Sequence, residues 1–293
     1  MLAGQIINGL VVGSMYAMVA VGFTLVLGVL DKLNFAHPEV FMFGGFVGFV
    51  VVSTGVPFWV ALPAAAVVGG ILGLFVEWVS FRRFTGPDGH ITAALSSLAV
   101  GLILIDVTQK IWGTDPVGFS LPASISSGGI DVAGITVSYL QVIILLSTLA
   151  LMAGLHFLIL HTQLGRSIRA IAEAPVFASL YGINGRRVTQ KTFVVSSSLA
   201  AIAGTFLSFR SGFASTEVGL VFGLKALAIM AIGGIGDMRG AVIVGLLLGV
   251  LEALAFQFGM GVLSDVAVWF AMILFLLVRP EGLFRTRTRE GRA

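Results

Sequence analysis

Five residues that could do chemistry lie within or beside long apolar runs. Glu252 is deep in one run and has no partner close in sequence, whereas Lys225 interrupts another. His37, Pro38 and Glu39 stand together where an apolar segment breaks. A charge inside lipid costs about 3 kcal/mol on insertion scales, so these residues need a partner, a pore or a wet cavity. His37, Glu39 and Glu252 are candidates for a solute pathway, although Glu252 could instead pair with the helix that holds Lys225.

Two segments, 29–48 and 227–245, share a pattern around such breaks. In each, an apolar helix stops at a short polar stretch that contains Pro or Gly, and a Gly-rich helix follows. Transporters often have paired broken helices in their two halves, with the pathway between them. The alternative is two unrelated turns. The candidate pathway residues are Asn34, His37, Glu39, Gly233, Gly234, Gly236 and Glu252.

Asp106 and Lys110 form a further charged group, four residues apart with the acid first. On a helix this spacing lets the two side chains neutralise each other. We expect a structural pair or an interfacial anchor here rather than a functional site.

Several kinds of site are missing from the sequence. Cys is absent, which excludes disulfides, thiolate metal sites and Cys nucleophiles. Lys191 is the only Lys followed by Ser or Thr, and Gln190 precedes it where a nucleotide-binding P-loop needs Gly. The four His are scattered, and there is no H-E-x-x-H or G-x-S-x-G motif. We therefore expect no enzyme, no catalytic residue, no metal site and no cofactor bound by this chain.

The composition indicates how these residues are positioned. Of 293 residues, 57% are hydrophobic and only 11% are charged, whereas soluble domains average about 25% charged residues. Apolar runs long enough to span a bilayer recur along the chain. The 38 Gly fit close packing between membrane helices. The sequence predicts an all-α, polytopic transmembrane bundle in one domain, 1–293, with broken or re-entrant Gly-rich segments.

Eight or nine membrane spans are expected, because the segment 220–236 is short and contains Lys225. That segment could be broken or re-entrant instead of crossing fully. The predicted spans are 5–30, 34–54, 57–80, 91–112, 138–160, 190–209, 220–236, 240–258 and 263–279.

The placement of Lys and Arg predicts the orientation. Basic residues concentrate at Arg82 and Arg83, in the loop 161–191 and in the tail 280–293, whereas 113–137 contains neither Lys nor Arg. By the positive-inside rule the first three are cytoplasmic and 113–137 is an external loop. We therefore expect the N-terminus outside and the C-terminus in the cytoplasm.

The segment 162–188 is predicted to form two short amphipathic helices in the cytoplasm. Apolar residues recur at helical spacing from Leu164, and Pro175 ends or kinks the first helix. A second apolar patch follows, and Gly182 suits the C-terminal turn that closes it. These helices could lie on anionic lipid headgroups or dock by their apolar face into a groove on a cytosolic partner.

Motifs in the same order along the whole chain resemble the LivH-type permeases of ATP-binding-cassette (ABC) importers for branched-chain amino acids. Each motif alone is weak, but together they are specific. The matching residues are Asn8-Gly9-Leu10, Gly13-Ser14, Tyr16-Ala17, Gly22, Leu33-Asn34-Phe35-Ala36-His37, Leu164-Gly165-Arg166, Arg169-Ala170, Ala172-Glu173, Ala178-Ser179-Leu180, Gly182-Ile183-Asn184, Gly233-Gly234-Ile235-Gly236, Arg239-Gly240-Ala241 and Arg279-Pro280-Glu281-Gly282-Leu283-Phe284.

The chain departs from the family pattern at Pro38, because the family usually has Gly after the His. The coupling loop also differs from the Glu-Ala-Ala pattern of other ABC permeases. Pro175 follows Glu173-Ala174, and Gly182 comes nine residues after Glu173, a longer spacing that is usual for the resembled family.

The resemblance implies a permease subunit in the bacterial cytoplasmic membrane, in contact with lipid and not with nucleic acid. Its implied partners are a second permease, related or identical, two cytosolic ATPase subunits that bind ATP and Mg, and an extracytoplasmic solute-binding protein. The residues implied to couple to an ATPase subunit are Leu164, Gly165, Arg166, Arg169, Glu173, Ala174, Leu180, Gly182 and Asn184.

The implied solutes are leucine, isoleucine and valine. Related permeases serve other amino acids, urea, short amides or aromatic acids. Two other classes remain open at this point: an ion-coupled secondary transporter that uses Glu252 or Glu39 as its coupling carboxylate, and a passive channel.

Overall fold

The computed structural model describes residues 2–84, 89–122, 125, 128–132, 135–261, 263–280 and 282–284. Every predicted span coincides with a helix of this structure. The tail beyond 284, with its predicted basic residues, lies outside the described residues. The helices are α1 (Leu2–Leu30), α2 (His37–Ser53), α3 (Ala61–Val76), α4 (Gly89–Trp112), α5 (Tyr139–His161), α6 (Gln163–Glu173), α7 (Pro175–Leu180), α8 (Gly185–Ser211), α9 (Glu217–Gly233), α10 (Met238–Ala255) and α11 (Leu263–Val278).

Six helical stretches in the described part of the chain are long and apolar enough to cross a membrane. Short 3₁₀ and π-helical turns lengthen α3 and α10. The other apolar helices α2, α9 and α11 have only 16 or 17 residues. The six stretches are Leu2–Leu30, Phe58–Phe81, Gly89–Trp112, Tyr139–His161, Gly185–Ser211 and Met238–Met260.

The centre of the bundle consists of α1 and α8. In their most apolar stretches 83% and 78% of the residues are buried, compared with 22% in α5. Glycine lets α1 approach α10 closely: a Cβ on Gly249 would lie 2.4 Å from the Cα of Gly13. Backbones meet here as they do in other small-residue packing of membrane helices.

Four short strands occupy one end of the bundle. The strands β2 (Gly129–Val132) and β3 (Ile135–Ser138) form an antiparallel hairpin, in which Ile130 pairs with Val137. The strands β1 (Val117–Gly118) and β4 (Phe213–Ala214) also pair antiparallel. The all-α prediction therefore holds for the bundle and not for the segment 113–137, where Ile, Val and Thr residues pair between two short strands.

The bundle thus has two distinct ends. The helix α8 connects these ends. In the chain α7 precedes the first residue of α8, and β4 follows its last residue. We call the end with α6 and α7 the coupling end, and the end with the four strands the strand end.

Candidate coupling surface and solute pathway

The first coupling helix, α6, is anchored to the rest of the protein. Thr162 caps it by accepting a hydrogen bond from the Gly165 N–H at 3.2 Å. A Cβ at Gly165 would fall on the Ile159 carbonyl, so the tight turn from α5 needs glycine. Ile168 and Ile171 are 8% and 9% exposed and pack into the main core. The apolar face of α6 is therefore used inside the molecule, and the prediction that it docks outward on lipid or a partner is wrong.

The second coupling helix, α7, presents its apolar side chains outward. Ala174 is extended (φ −149°, ψ 80°) and Pro175 starts the helix, as predicted. Only Ala178 of this helix is buried. The outward apolar residues are Val176, Phe177, Leu180 and Tyr181, with exposed fractions of 65%, 64%, 75% and 86%. We call these four residues the α7 patch.

The connection from α7 to α8 has the predicted glycine turn. Gly182 is left-handed (φ +79°), and the Ile183 N–H donates to the Ala178 carbonyl at 3.0 Å. Asn184 then caps α8 by accepting from the Arg187 N–H at 3.1 Å.

The predicted coupling residues differ in how far they are exposed. Leu164, Arg169 and Ala174 are partly buried, and the Arg169 guanidinium donates to the Ile159 carbonyl. The exposed members are Arg166, Glu173, Leu180, Gly182 and Asn184.

The first predicted break lies deep in the bundle. The segment between α1 and α2 is not helical, and its Phe35 N–H donates to the Ser97 hydroxyl on α4 at 2.9 Å. The Lys32 ammonium, at the start of this segment, donates to the Phe84 carbonyl in the connection between α3 and α4, at 2.6 Å. Burial lowers the pKa of Lys32. The helix α2 then begins at His37, beside Gly22 of α1. Gly22 is eight residues, or about 12 Å, before the end of α1.

Three predicted pathway residues lie at this break and have unsatisfied polar atoms. Asn34 is 1% exposed, His37 0% and Glu39 5%. The side-chain Oδ1 of Asn34 accepts a hydrogen bond from the Ala36 N–H. Four other side-chain atoms lack hydrogen-bond partners among the described residues: Asn34 Nδ2, both ring nitrogens of His37, and Glu39 Oε2. The imidazole lies beside the Val19 backbone without hydrogen-bond geometry. Buried groups of this kind are unusual away from functional sites.

Glycines on two other helices, α1 and α9, make room for the residues at the start of α2. A Cβ at Gly22 would lie 2.4 Å from His37 Nε2, and a Cβ at Gly219 would lie 2.5 Å from Glu39 Oε2. Pro38 likewise occupies the space above Gly223. The Glu39 carboxyl thus faces the first turn of α9, where the helix dipole favours an anion.

The second predicted break, 233–236, lies apart from the first. It follows the last turn of α9, ten residues, or about 15 Å, beyond Gly223. Gly234 and Gly236 have positive φ angles. Gly233 and Gly234 are buried beneath the C-terminal segment, whose Leu283 N–H donates to the Ile232 carbonyl at 2.7 Å, whereas Gly236 is exposed.

Glu252 is paired rather than free. Its Oε1 lies 3.1 Å from the Lys225 ammonium, which also donates to the Tyr16 hydroxyl at 2.9 Å. Tyr16 in turn donates to Glu252 Oε2 at 2.7 Å. The group links α1, α9 and α10. It confirms the alternative in which Glu252 pairs with the helix that holds Lys225. The predicted ion pair between Asp106 and Lys110 is also present, at 2.8 Å.

One further polar residue, Arg210, was missed by the sequence analysis. Arg210, at the strand end of α8, donates to the Asn8 carbonyl oxygen of α1 at 3.0 Å. An Arg at the end of an apolar run resembles an interface anchor, and only the fold brings it to residues 8 and 141.

Comparison with known proteins gives one consistent family. The family described as "Branched-chain amino acid transport system / permease component" matches residues 5–278. The high-affinity branched-chain amino acid transport system permease protein BraD of Pseudomonas aeruginosa is 33% identical, over 95% of this chain and 94% of that protein. The permease protein LivH of the corresponding Escherichia coli system is also 33% identical, with the same coverage. The ribose import permease protein RbsC of Haemophilus influenzae is 28% identical, over 94% of this chain and 82% of that protein.

Proposed function

This chain belongs to the family of branched-chain amino acid transport system permease components, and we propose that it forms half of the membrane pathway of an ATP-driven importer. A second permease, related or identical, completes the pathway. Two cytosolic ATPase subunits bind ATP and Mg, and an extracytoplasmic binding protein delivers the solute. The solutes are leucine, isoleucine and valine, as the branched-chain amino acid transport of the 33%-identical relatives suggests.

The α7 patch is the observation that supports the ATPase partner. Its four apolar residues are more than 60% exposed, three of them on a helix of only six residues and Tyr181 directly after it. The exposed charges of Arg166, Glu173 and Arg186 lie close to it in sequence, on α6 and at the start of α8. An apolar helix face with a polar rim is typical of a surface that docks into a groove on another protein.

The anchoring of α6 supports a rigid mechanical link from that surface to the bundle. Because Ile168 and Ile171 are packed into the main core, a push on α7 displaces α6 as a unit with α1 and α8. These two helices are the most buried of the six candidate membrane spans in the described part of the chain. Closure of the ATPase dimer on ATP therefore moves the helices that surround the break at His37, and rigid-body movement switches access from outside to inside.

Nine helices cross the membrane in this proposal, with the N-terminus outside and the C-terminus in the cytoplasm. The basic residues Arg82, Arg83, Arg186 and Arg187 then share the cytoplasmic side with α6 and α7. Three of the crossings, α2, α9 and α11, are shorter than a bilayer core of about 30 Å. For α2, the non-helical segment 31–36 supplies the missing length.

The proposed solute pathway includes, in the interior of the bundle, the three residues Asn34, His37 and Glu39. A zwitterionic amino acid needs both donors and acceptors, and these side chains retain unsatisfied atoms of both kinds. Non-helical backbone at this depth fits a segment that lines a wet cavity in one of the transport states.

Copurification of the ATPase subunits tests the docking proposal. Phe177→Asp and Leu180→Asp each place a charge in the α7 patch and should reduce the ATPase recovered with the tagged permease about tenfold or more, as expected for loss of a buried apolar anchor. Substrate-stimulated ATPase activity should fall with it.

Ile130→Asp is the matched control, because Ile130 is also exposed (46%) but lies in the β2–β3 hairpin at the strand end. This variant should retain the ATPase subunits. Normal recovery of ATPase with both α7 variants would contradict the proposed docking surface.

A further inference from the structure

An open cleft of about 740 Å³ lies at the strand end of the molecule. This size is within the range of about 300 to 1,000 Å³ that is usual for small-molecule sites. Residues 119–121, the strand β3, the start of α5 and the end of α8 form its walls. Its lining includes three apolar side chains, Leu140, Leu207 and Phe209, and three polar ones, Ser138, Gln141 and Arg210.

Arg210 is the cation of this cleft, and it is partly buried. Its guanidinium donates to Asn8 Oδ1 at 3.0 Å, and Gln141 Nε2 approaches the same oxygen at 3.5 Å. Among the residues that the structure describes, Arg210 has no ion pair and no second hydrogen-bond acceptor. A guanidinium has five N–H donors, so most of its bonding capacity is open toward the cleft.

The charges behind the cleft do not neutralise Arg210. Glu252 and Tyr16 are close enough to interact with it electrostatically. However, Glu252 is already bonded to both Lys225 and Tyr16. Arg210, Lys225 and Glu252 together have two positive charges and one negative charge. The group therefore has room for one further anion, at the cleft side of Arg210.

We propose that this cleft is an entry site for the transported amino acid, in which Arg210 binds the α-carboxylate. The proposal rests on the import function above and adds a binding residue to it. An Arg fork matches the two oxygens of a carboxylate. Leu140, Leu207 and Phe209 offer an apolar wall to the aliphatic side chain of the solute. Asn8 holds the guanidinium in place from α1.

The position of the site gives it a purpose in transport. The cleft faces the side from which a binding protein would deliver its solute, at the opposite end of the bundle from α7. A carboxylate held there is retained when the binding protein opens, instead of returning to solution. Loss of Arg210 should therefore lower the amount of solute imported per ATP, while ATP hydrolysis itself continues.

The test uses the whole importer in proteoliposomes, with two permeases, two ATPase subunits and leucine-loaded binding protein at saturation. Leucine imported and ATP hydrolysed are measured together. With Arg210→Gln, the leucine imported per ATP should fall about tenfold or more, which is typical for loss of a charge-assisted hydrogen bond. The stimulated ATPase rate should stay within about twofold of wild type. Arg210→Lys, which keeps the charge and loses the fork, should give an intermediate ratio.

Lys110→Gln is the matched control, since it removes a cation from the same end of the bundle at an exposed side chain (74%) that does not line the cleft. Its ratio should equal that of wild type. An unchanged ratio in Arg210→Gln would overturn the proposal. So would a joint loss of uptake and stimulated ATPase with a higher half-maximal concentration of binding protein, because Arg210 would then serve docking. Absence of ATP-dependent uptake in the wild-type complex would instead overturn the import function.

Discussion

The ammonium of Lys225 lies 3.1 Å from the carboxylate of Glu252, and this pair joins α9 to α10 within the bundle. The Lys225 side chain is 4% exposed and that of Glu252 is 23% exposed. Tyr16 bonds to both partners and extends the link to α1. Two opposite charges inside apolar runs are thus explained by each other, which leaves Glu252 poorly suited to exchange protons or ions with a pathway.

Removing one partner of this pair should destabilise the protein. Lys225→Met leaves the Glu252 carboxylate without its counter-ion, and we expect a loss of about 3 kcal/mol, the lower end for a broken buried pair because Glu252 is partly exposed. The double variant Lys225→Met/Glu252→Leu should recover most of this loss. Thermal unfolding of the purified protein in detergent measures both. If the double variant is as unstable as the sum of the two single variants, the pair is not the source of the stability.

The space that Gly22 leaves for the His37 imidazole provides a second prediction. Gly22→Ala would place a Cβ 2.4 Å from His37 Nε2 and should displace the imidazole, which reduces leucine uptake at least severalfold. Gly28→Ala is on the same helix, where a Cβ meets no atom of the described residues within 4 Å, and it should leave uptake unchanged. Initial uptake rates at equal membrane levels decide the matter. Equal rates for the two variants would show that the fit at His37 has no part in transport.

Gly182 gives a third prediction, because its φ of +79° is in the left-handed region. Gly182→Val should strain the turn by about 1–2 kcal/mol or more and change the angle between α7 and α8. Gly182→Asn should be tolerated, since Asn adopts this conformation far more readily. Stimulated ATPase activity of the assembled importer should fall in the Val variant and remain in the Asn variant. Full activity in the Val variant would indicate that the geometry of this turn does not matter for coupling.

The sequence predicts local structure here better than it predicts contacts. Pro175 and Gly182 determine where α7 starts and ends, because each restricts or requires a particular backbone angle. Periodicity also identified the apolar face of α6. It could not indicate whether that face meets lipid, a partner or the same chain, because all three environments favour the same residues.

Contacts between distant residues explain the remaining gaps. Arg210 meets Asn8 across 202 residues. Glu252 and Lys225 are 27 residues apart, and the sequence offered their pairing only as an alternative to a pathway role. No spacing rule connects such positions. The β2–β3 hairpin was missed because its strands have four residues each in a Gly- and Ser-rich connection, too short for an alternating pattern to stand out.

ATP-driven leucine uptake by the reconstituted complex tests the central claim most directly. The complex of this chain with its second permease, ATPase subunits and binding protein should import leucine only when ATP is supplied to the ATPase side, and a protonophore that collapses all proton gradients should not stop it. Leucine accumulation by this chain alone, driven by an imposed proton gradient and without ATP, would contradict the account.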